Sequence, residues 1–281
     1  MRKYLSLIKF SHTIFAMPFA LIGFFLAEKS NKFEWITLLY VVLCMVFARS
    51  AAMAFNRYID RDIDRDNPRT AKIREIPNGT ITAKNAIIFV IINCLLFIGT
   101  TLFINPICFA LSPVALLVIL GYSYTKRFTA LCHLILGIGL SLAPIGAYLA
   151  VNGEFAIIPI LFSFVVLFWV SGFDIIYSLQ DKKFDKTKKL HSIPVLLGNK
   201  NALHLAKLLH FLTFSTLSIA GSLGDFGLYY WIGFWIFSTL LIYQHTLVKQ
   251  NDLSKINLAF FTTNGIASVI FAAFVIFDIL L

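Results

Sequence analysis

One amide and two carboxylate side chains recur at helical spacing in the first quarter of the chain. Asn56, Asp60 and Asp64 stand at positions i, i+4 and i+8, a spacing that lines one face of an α-helix. Arg49, seven residues before Asn56, falls on the same face inside an apolar stretch, where an arginine is costly and therefore indicates a function. Two further acidic residues fall on the other side of the helix and are predicted to be surface charges, namely Asp62 and Asp66.

A second acidic cluster lies in the second half of the chain. Asp174, Asp181 and Asp185 stand at positions i, i+7 and i+11, which is again one helical face. Tyr177 lies near this face, and Asp174 is expected within the membrane zone because it belongs to an apolar stretch. The chain therefore carries two matching acidic faces.

Carboxylates stacked on one helix face repel one another, so two such faces at the same side of a membrane require a compensating cation. Carboxylate oxygens suit Mg²⁺, which typically binds one or two carboxylates together with substrate phosphates. A diphosphate bridged by Mg²⁺ would explain both clusters. Nearby basic residues would neutralise the remaining phosphate charge, namely Arg69, Arg74, Lys126 and Arg127. Tyr122 lies one helical turn before Lys126 and can point at the same site.

Other interpretations of these charges stay open. A cation transporter also uses carboxylates inside the membrane, but it would not need basic residues around them. Tyr122 and Lys126 alone would also fit an aromatic belt with a snorkelling cation. Some charges are best interpreted as solvated loop charges at the membrane edge, namely Asp62, Asp66, Lys182, Lys183, Lys186, Lys188 and Lys189.

The apolar composition indicates which elements position the two clusters. Of the 281 residues, 59% are hydrophobic and only 14% are charged, which no soluble domain of this size requires. A membrane-spanning helix needs about 20 mostly apolar residues, so we predict an all-α polytopic membrane protein with about nine spans. These lie near residues 12–27, 34–56, 86–104, 107–124, 129–150, 156–178, 203–221, 227–248 and 257–280.

The net charge of +10 indicates membrane topology and not nucleic-acid binding. Lys and Arg gather before the first span and in every second loop, whereas the alternate loops contain only Lys29 and Lys32. By the positive-inside rule, the N-terminus and the loops beside both acidic clusters are expected in the cytoplasm. A metal site built from Cys or His is not expected, because neither residue type shows ligand spacing.

Two basic segments, 57–84 and 181–200, resemble each other. Each follows a span that ends in an acidic cluster, and each contains Ile-Pro and ends at the Lys of a Lys-Asn-Ala sequence. The two spans run in the same direction, so we predict a single domain over residues 1–281 with a parallel internal repeat of about four helices.

The motifs together resemble the UbiA superfamily of intramembrane aromatic prenyltransferases over essentially the whole chain. The family's Asn-x3-Asp-x3-Asp corresponds to Asn56, Asp60 and Asp64, and its Asp-x6-Asp-x3-Asp corresponds to Asp174, Asp181 and Asp185. Further matches are Arg69-Thr70-Ala71, Arg74 with Pro77 and Gly79, and the Tyr-x3-Lys of Tyr122 and Lys126. Residues 124–133 and 174–181 look most like the 4-hydroxybenzoate polyprenyltransferase-like branch.

The resemblance implies a fold in which nine helices surround a central cavity beneath a cytoplasmic cap. It implies that the two aspartate motifs hold Mg²⁺ and a polyprenyl diphosphate, and that the prenyl chain moves to an aromatic acceptor in quinone biosynthesis. The expected acceptor is 4-hydroxybenzoate, with a dihydroxynaphthoate on the futalosine route to menaquinone as the alternative. The expected location is the bacterial cytoplasmic (inner) membrane. Arg49 is expected to bind the acceptor carboxylate or to orient Asn56, and Tyr177 to shield the allylic cation or to contact the diphosphate.

Overall fold

The described part of the chain is helical. The computed structural model describes residues 2–8, 15–28 and 34–281, and every regular element in these ranges is a helix. The all-α prediction is therefore confirmed. Predictions that rest on Lys29, Lys32 or residues 12–14 of the first span lie outside the described residues.

Nine long helices within the described ranges correspond to the predicted spans. They are α2 (Met17–Glu28), α3 (Trp35–Ile59), α5 (Ala83–Leu102), α6 (Pro106–Thr125), α7 (Cys132–Asn152), α8 (Ile157–Ser178), α10 (Ile193–Leu223), α11 (Leu228–Leu247) and α12 (Asn264–Leu280). The short helices α1 (Arg2–Leu7), α4 (Arg61–Asp66) and α9 (Lys182–Thr187) have six residues each. A 3₁₀ turn, Leu179–Asp181, precedes α9, and a π-helix, Leu258–Thr263, leads into α12.

Seven helices in the described residues are long and apolar enough to cross a membrane. The two long helices outside this group are α2, which has 12 described residues, and α11, which ends in polar residues. Large apolar side chains are exposed on the outside of the bundle, among them Leu117 at 73% and Ile242 at 69%. A lipid environment accounts for such exposure, and the exact number of nine spans stays a prediction.

Local sequence signals set the junction between α5 and α6 and the end of α7. The side chain of Asn105 accepts a hydrogen bond from the backbone N–H of Cys108 at 2.8 Å, and Pro106 occupies the first turn of α6. An Asn cap followed by Pro is a typical helix start. Gly153 ends α7 with a φ of 67°, a conformation that favours glycine. The split predicted at Asn105-Pro106 is therefore confirmed.

The long helices form a closed ring in chain order. Each packs against the next, from α2 through α12, and α12 returns to pack against α2. Helix α2 also packs against α7, so helix contacts fill part of the interior. The lipid-accessible central cavity stays a prediction.

More than half of the residues of helix α8 are buried, and α8 carries Asp174, the first residue of the second motif. Trp169 is fully buried, and its Nε1–H donates to Oδ1 of Asn264 at 2.9 Å, which ties α8 to α12. The Asn264 amide in turn donates to the carbonyl of Phe260 at 2.9 Å inside the π-helix. Phe260 stacks on Tyr177 with ring centroids 4.0 Å apart. The π-helix thereby holds an aromatic ring against Tyr177.

Both acidic motifs run across a helix end. Helix α3 ends at Ile59, Asp60 caps it, and Asp64 belongs to the separate helix α4. Asp174 lies in α8, Asp181 in the 3₁₀ turn and Asp185 in α9. The assumption of one uninterrupted helix for each motif is therefore wrong. Each motif ends in a short helix, but the four-helix repeat stays a prediction.

Glycine permits a close approach of α7 and α8. A Cβ at Gly137 would lie 2.4 Å from Oγ of Ser171 and 2.6 Å from the carbonyl oxygen of Leu167. Two residues further along, a Cβ at Gly139 would meet Ile119 at 3.8 Å, an ordinary contact. Small residues at such crossings let membrane helices pack backbone to backbone.

We expect Gly137→Ala to destabilise the protein by about 1–3 kcal/mol, because the added methyl group forces α7 and α8 apart. Gly139→Ala is the matched control on the same helix. It should be neutral or stabilising by up to about 1 kcal/mol, because Ala favours a helix over Gly. Thermal unfolding in detergent measures both variants. Equal stability of the two would contradict the close approach.

Candidate active site

The first motif is held by the residues after α6. The Nδ2–H of Asn56 donates to Oδ2 of Asp60 at 3.0 Å, and Nη2 of Arg127 lies 3.1 Å from Oδ1 of Asp60. Arg127 also donates to the carbonyls of Ile59 at 2.9 Å and Ser123 at 3.0 Å. Burial raises the pKa of the Asp60 carboxyl, and Arg127 opposes that rise. Arg127 therefore ties the end of α6 to the end of α3.

The third residue of this motif, Asp64, points into the loop that follows α4. It is buried, and its Oδ2 lies 3.5 Å from Nη1 of Arg74. The hydroxyl of Thr70 donates to the Asp64 carbonyl at 2.9 Å, which fixes the loop around it. The pKa of the Asp64 carboxyl is raised to about 6, because burial raises it and the nearby Arg57 offsets only part of that rise.

Arg57 is a residue of this site that the sequence analysis missed. It is 6% exposed, and it acts electrostatically on both Asp64 and Asp60. Arg57 follows Asn56 directly in the sequence, so it lies off the helical face that Asn56, Asp60 and Asp64 share. The search along that face therefore did not include it. A buried arginine beside a carboxylate motif was the available signal.

The second motif is clamped by the loop of the first. Arg69 grips the Asp181 carboxylate with two hydrogen bonds, from Nε at 3.0 Å and from Nη2 at 2.6 Å. Asn67 adds a third bond to this carboxylate at 3.3 Å, and Nη1 of Arg69 donates to the Tyr177 hydroxyl at 3.4 Å. A two-point Arg–carboxylate contact is strong and directional. Asn67 lies three residues after Asp64 and seven after Asp60. This helical spacing with the first motif was a signal that the sequence analysis missed.

The last aspartate of the second motif pairs with the end of α6. Asp185 is fully buried, and its Oδ1 lies 2.8 Å from Nζ of Lys126. The carbonyl of Lys126 accepts a hydrogen bond from the N–H of His191 at 2.8 Å. Further out, exposed Lys188 pairs with exposed Asp66. The segments after α3, α6 and α8 thus meet at one end of the bundle.

Asp174 lies deeper and has a histidine partner. Nδ1 of His133 lies 2.7 Å from Oδ2 of Asp174, while Nε2 of His133 accepts a hydrogen bond from the backbone N–H of Ile193 at 3.3 Å. Because Nε2 is an acceptor, the proton is assigned to Nδ1, which donates to Asp174. His133 is a polar residue in an apolar helix, and that was the signal from which it could have been found.

Arg49 does not form an ion pair with Asp174, which pairs with His133. No carboxylate lies within ion-pair distance of Arg49 among the residues that the structure describes, and its buried Nε has no hydrogen-bond partner. The phenol of Tyr122 of α6 lies near the Arg49 guanidinium instead. The guanidinium therefore has hydrogen-bonding capacity left inside the bundle.

The side chains of the two motifs offer the kind of oxygen ligands that Mg²⁺ binds. Nowhere in residues 2–8, 15–28 and 34–281 do three His, Cys, Asp or Glu side chains stand close enough to hold a metal by themselves. Mg²⁺ usually takes only one or two carboxylates and completes its shell with phosphates and water. The buried carboxylates of Asp64 and Asp185 each pair with one basic side chain, Arg74 and Lys126 respectively. The two motifs therefore suit a metal that arrives with a phosphate ligand.

A helical bundle with two aspartate motifs and interleaved basic side chains is the arrangement that the motif resemblance predicts for a membrane prenyltransferase. The profile of the UbiA prenyltransferase family matches residues 16–266. The chain belongs to this family, and the resemblance seen in the motifs is confirmed.

Relatives and solved structures agree with this assignment. The chain is 30% identical over 232 residues to a 4-hydroxybenzoate octaprenyltransferase of Francisella tularensis subsp. novicida, covering 83% of this chain and 81% of the relative. It is 31% identical over 237 residues to the protein of that name from Tolumonas auensis, covering 84% and 82%.

Among solved structures, the apo UbiA homologue of Aeropyrum pernix K1 superposes with a TM-score of 0.86 at 30% identity, over 95% of this chain and 98% of that one. A UbiA homologue of Archaeoglobus fulgidus bound to GPP and Mg²⁺ has a TM-score of 0.75 at 22% identity, over 99% and 100%.

We expect Asp60→Asn to lower prenyl-transfer activity at least about a hundredfold, because the metal that this carboxylate would hold supplies several kcal/mol of charge stabilisation. Asp62→Asn is the matched control. Asp62 is 68% exposed and pairs with Arg61 and Arg65 of its own helix. Turnover assays on both purified variants, with unfolding temperatures to check the fold, make the comparison. Equal losses would remove Asp60 from the site.

Proposed function

We propose that this chain is a Mg²⁺-dependent enzyme that transfers a polyprenyl chain from its diphosphate to an aromatic acceptor, with 4-hydroxybenzoate as that acceptor. One observation carries the proposal. Four motif carboxylates at one end of the bundle each face a basic side chain, in the pairs Asp60–Arg127, Asp64–Arg74, Asp181–Arg69 and Asp185–Lys126.

This pairing supports a diphosphate ligand with its metal. A magnesium diphosphate brings positive charge for the carboxylates and negative charge for the basic residues, so both partners of each pair can be satisfied when it binds. A cation transporter would need the carboxylates free for its ion, and basic residues at each of them would oppose binding. The transporter alternative is therefore disfavoured.

The residues that would hold Mg²⁺ are Asn56, Asp60, Asp64, Asp174, Asp181 and Asp185. Bound there, the ion would supply charge neutralisation of the leaving diphosphate. Arg69, Arg74, Lys126 and Arg127 lie where they can donate to the phosphate oxygens. Their hydrogen bonds strengthen as negative charge develops on the leaving group.

The reaction is an electrophilic aromatic substitution. The allylic C–O bond breaks and its electron pair leaves with the diphosphate oxygen, so an allylic cation forms. The electron-rich ring then attacks this cation through a carbon next to its hydroxyl group, and that ring carbon loses its proton. Tyr177 presents its ring beside Arg69 and the motif carboxylates, where the π face stabilises a cation. The apolar bundle limits access of water to the cation.

Two lines of reasoning support the acceptor. The relatives from Francisella and Tolumonas carry the name 4-hydroxybenzoate octaprenyltransferase. Arg49 has a buried Nε–H without a hydrogen-bond partner, and a guanidinium suits a benzoate carboxylate. A dihydroxynaphthoate, the alternative acceptor, carries the same kind of carboxylate, so a direct comparison must separate them.

We expect purified protein with Mg²⁺ and a polyprenyl diphosphate to prenylate 4-hydroxybenzoate in preference to a dihydroxynaphthoate, as measured by product mass. Excess chelator should stop the reaction, and Mg²⁺ or Mn²⁺ should restore it, since both ions favour oxygen ligands. Preferential prenylation of the dihydroxynaphthoate would identify that compound as the acceptor and would leave the proposed prenyl transfer unchanged. Full activity in excess chelator would rule out the role of the metal.

We expect Arg49→Leu to raise the KM for the aromatic acceptor about tenfold to a hundredfold, because a hydrogen bond to a charged group contributes about 1.5–3 kcal/mol. The KM for the prenyl diphosphate should change little. Arg65→Leu is the control, because Arg65 is exposed on α4 and pairs with Asp62. Steady-state kinetics with each substrate varied in turn give both constants. Unchanged acceptor kinetics in Arg49→Leu would remove Arg49 from the acceptor site.

A further inference from the structure

A basic pocket lies between α10 and α11, at the end of the bundle that carries the aspartate motifs. Its volume is about 270 Å³. Asn199, near the start of α10, donates to the carbonyl of Gln250, just after α11, at 3.2 Å and joins the two sides. The lining residues are Lys200, Leu203, His204, Lys207, His245, Val248, Lys249 and Gln250.

The lysines of this pocket lack the acidic partners that the active-site cations have. Lys200, Lys207 and Lys249 are all exposed. None forms an ion pair within the described ranges, where the salt bridges of the aspartate motifs engage other basic residues. Lys249 interacts electrostatically with Asp252, which is itself exposed on the adjacent turn. Lys200 and Lys207 therefore carry positive charge without an acidic partner in the described ranges, and the pocket favours an anion.

The pocket is distinct from the aspartate site. Leu203 and Val248 line it and also belong to an apolar cluster that includes Ile176 and Leu179, which lie along the second motif. None of the residues that line the pocket belongs to either motif. A ligand in the pocket therefore contacts neither motif.

Size and surroundings indicate what kind of anion fits. Ligand pockets for drug-sized molecules measure roughly 300–1,000 Å³, so this smaller pocket suits a compact charged group. Deeper along the same helices the exposed surface is apolar. Leu208 and Phe211 each lie four residues beyond a pocket residue of α10, on the same face, and are 53% and 61% exposed. Acyl chains can lie along this surface while a headgroup fills the pocket, whereas a free phosphate would leave it unused.

We propose that this pocket binds the phosphate headgroup of an anionic phospholipid, such as a phosphatidylglycerol. Basic pockets between membrane helices are suited to such headgroups, and each Lys or Arg near an anionic surface is worth about 1 kcal/mol. Removing one lysine should weaken binding about fivefold, and removing two should weaken it about 25-fold, if the contributions add.

Native mass spectrometry of the detergent-solubilised full chain tests this proposal. The wild type is titrated with phosphatidylglycerol and, separately, with phosphatidylcholine. We expect several-fold stronger retention of phosphatidylglycerol, a loss of about 25-fold in the double variant Lys200→Gln/Lys207→Gln, and no loss in Lys84→Gln/Lys255→Gln. Lys84 and Lys255 are exposed and lie outside the pocket lining. The assay needs no turnover, so its result does not depend on the proposed reaction.

The outcomes separate a lipid from a soluble anion. Equal retention of the two lipids by the wild type, or equal losses in the two double variants, would overturn the proposal. Displacement of phosphatidylglycerol by millimolar inorganic phosphate, with the same dependence on Lys200 and Lys207, would assign the pocket to a free phosphate instead. If the pocket double variant does not fold, Lys249→Gln replaces it, because Lys249 follows the end of α11 and belongs to no long helix. Wild-type retention of phosphatidylglycerol in Lys249→Gln would then count against the pocket.

Discussion

Negative charge gathered at one end of a membrane helix bundle must be compensated, and much of this structure follows from how that is done. Isolated carboxylates at such a place repel one another and lose hydration. Here the compensating side chains come from other segments of the chain, as in Asp60 with Arg127 and Asp185 with Lys126. Each ion pair therefore also connects two segments. The same ion pairs therefore balance the charge and hold the loops in place.

Ion pairs join segments from the two halves of the chain. The loop after α4 supplies Arg69 to the second motif, and the residues after α6 supply cations to both motifs. The two motifs are therefore coupled, because the loop of the first binds the second and the adjacent residues Lys126 and Arg127 bind one motif each. Such coupling favours a ligand that engages both motifs together, as a diphosphate with bound metal would.

Below this charged end, close apolar packing holds the helices that carry the motifs. Trp169 and Asn264 join α8 to α12, and the π-helix before α12 directs Phe260 onto Tyr177. π-helices frequently occur at functional sites because they displace a side chain from the regular helical position. In this chain the displaced segment supplies the aromatic ring that supports Tyr177, which in turn accepts a hydrogen bond from Arg69.

The sequence by itself determined the helical membrane class, the family and the membership of both motifs, because apolar runs and residue types are local properties. It also located helix ends such as the junction at Asn105-Pro106, since capping depends on neighbouring residues. Only the tertiary structure decided the partners. His133 is 41 residues from Asp174, and Arg69 is 112 residues from Asp181. Periodicity fixes directions only within one helix, and contacts between segments depend on how the helices pack.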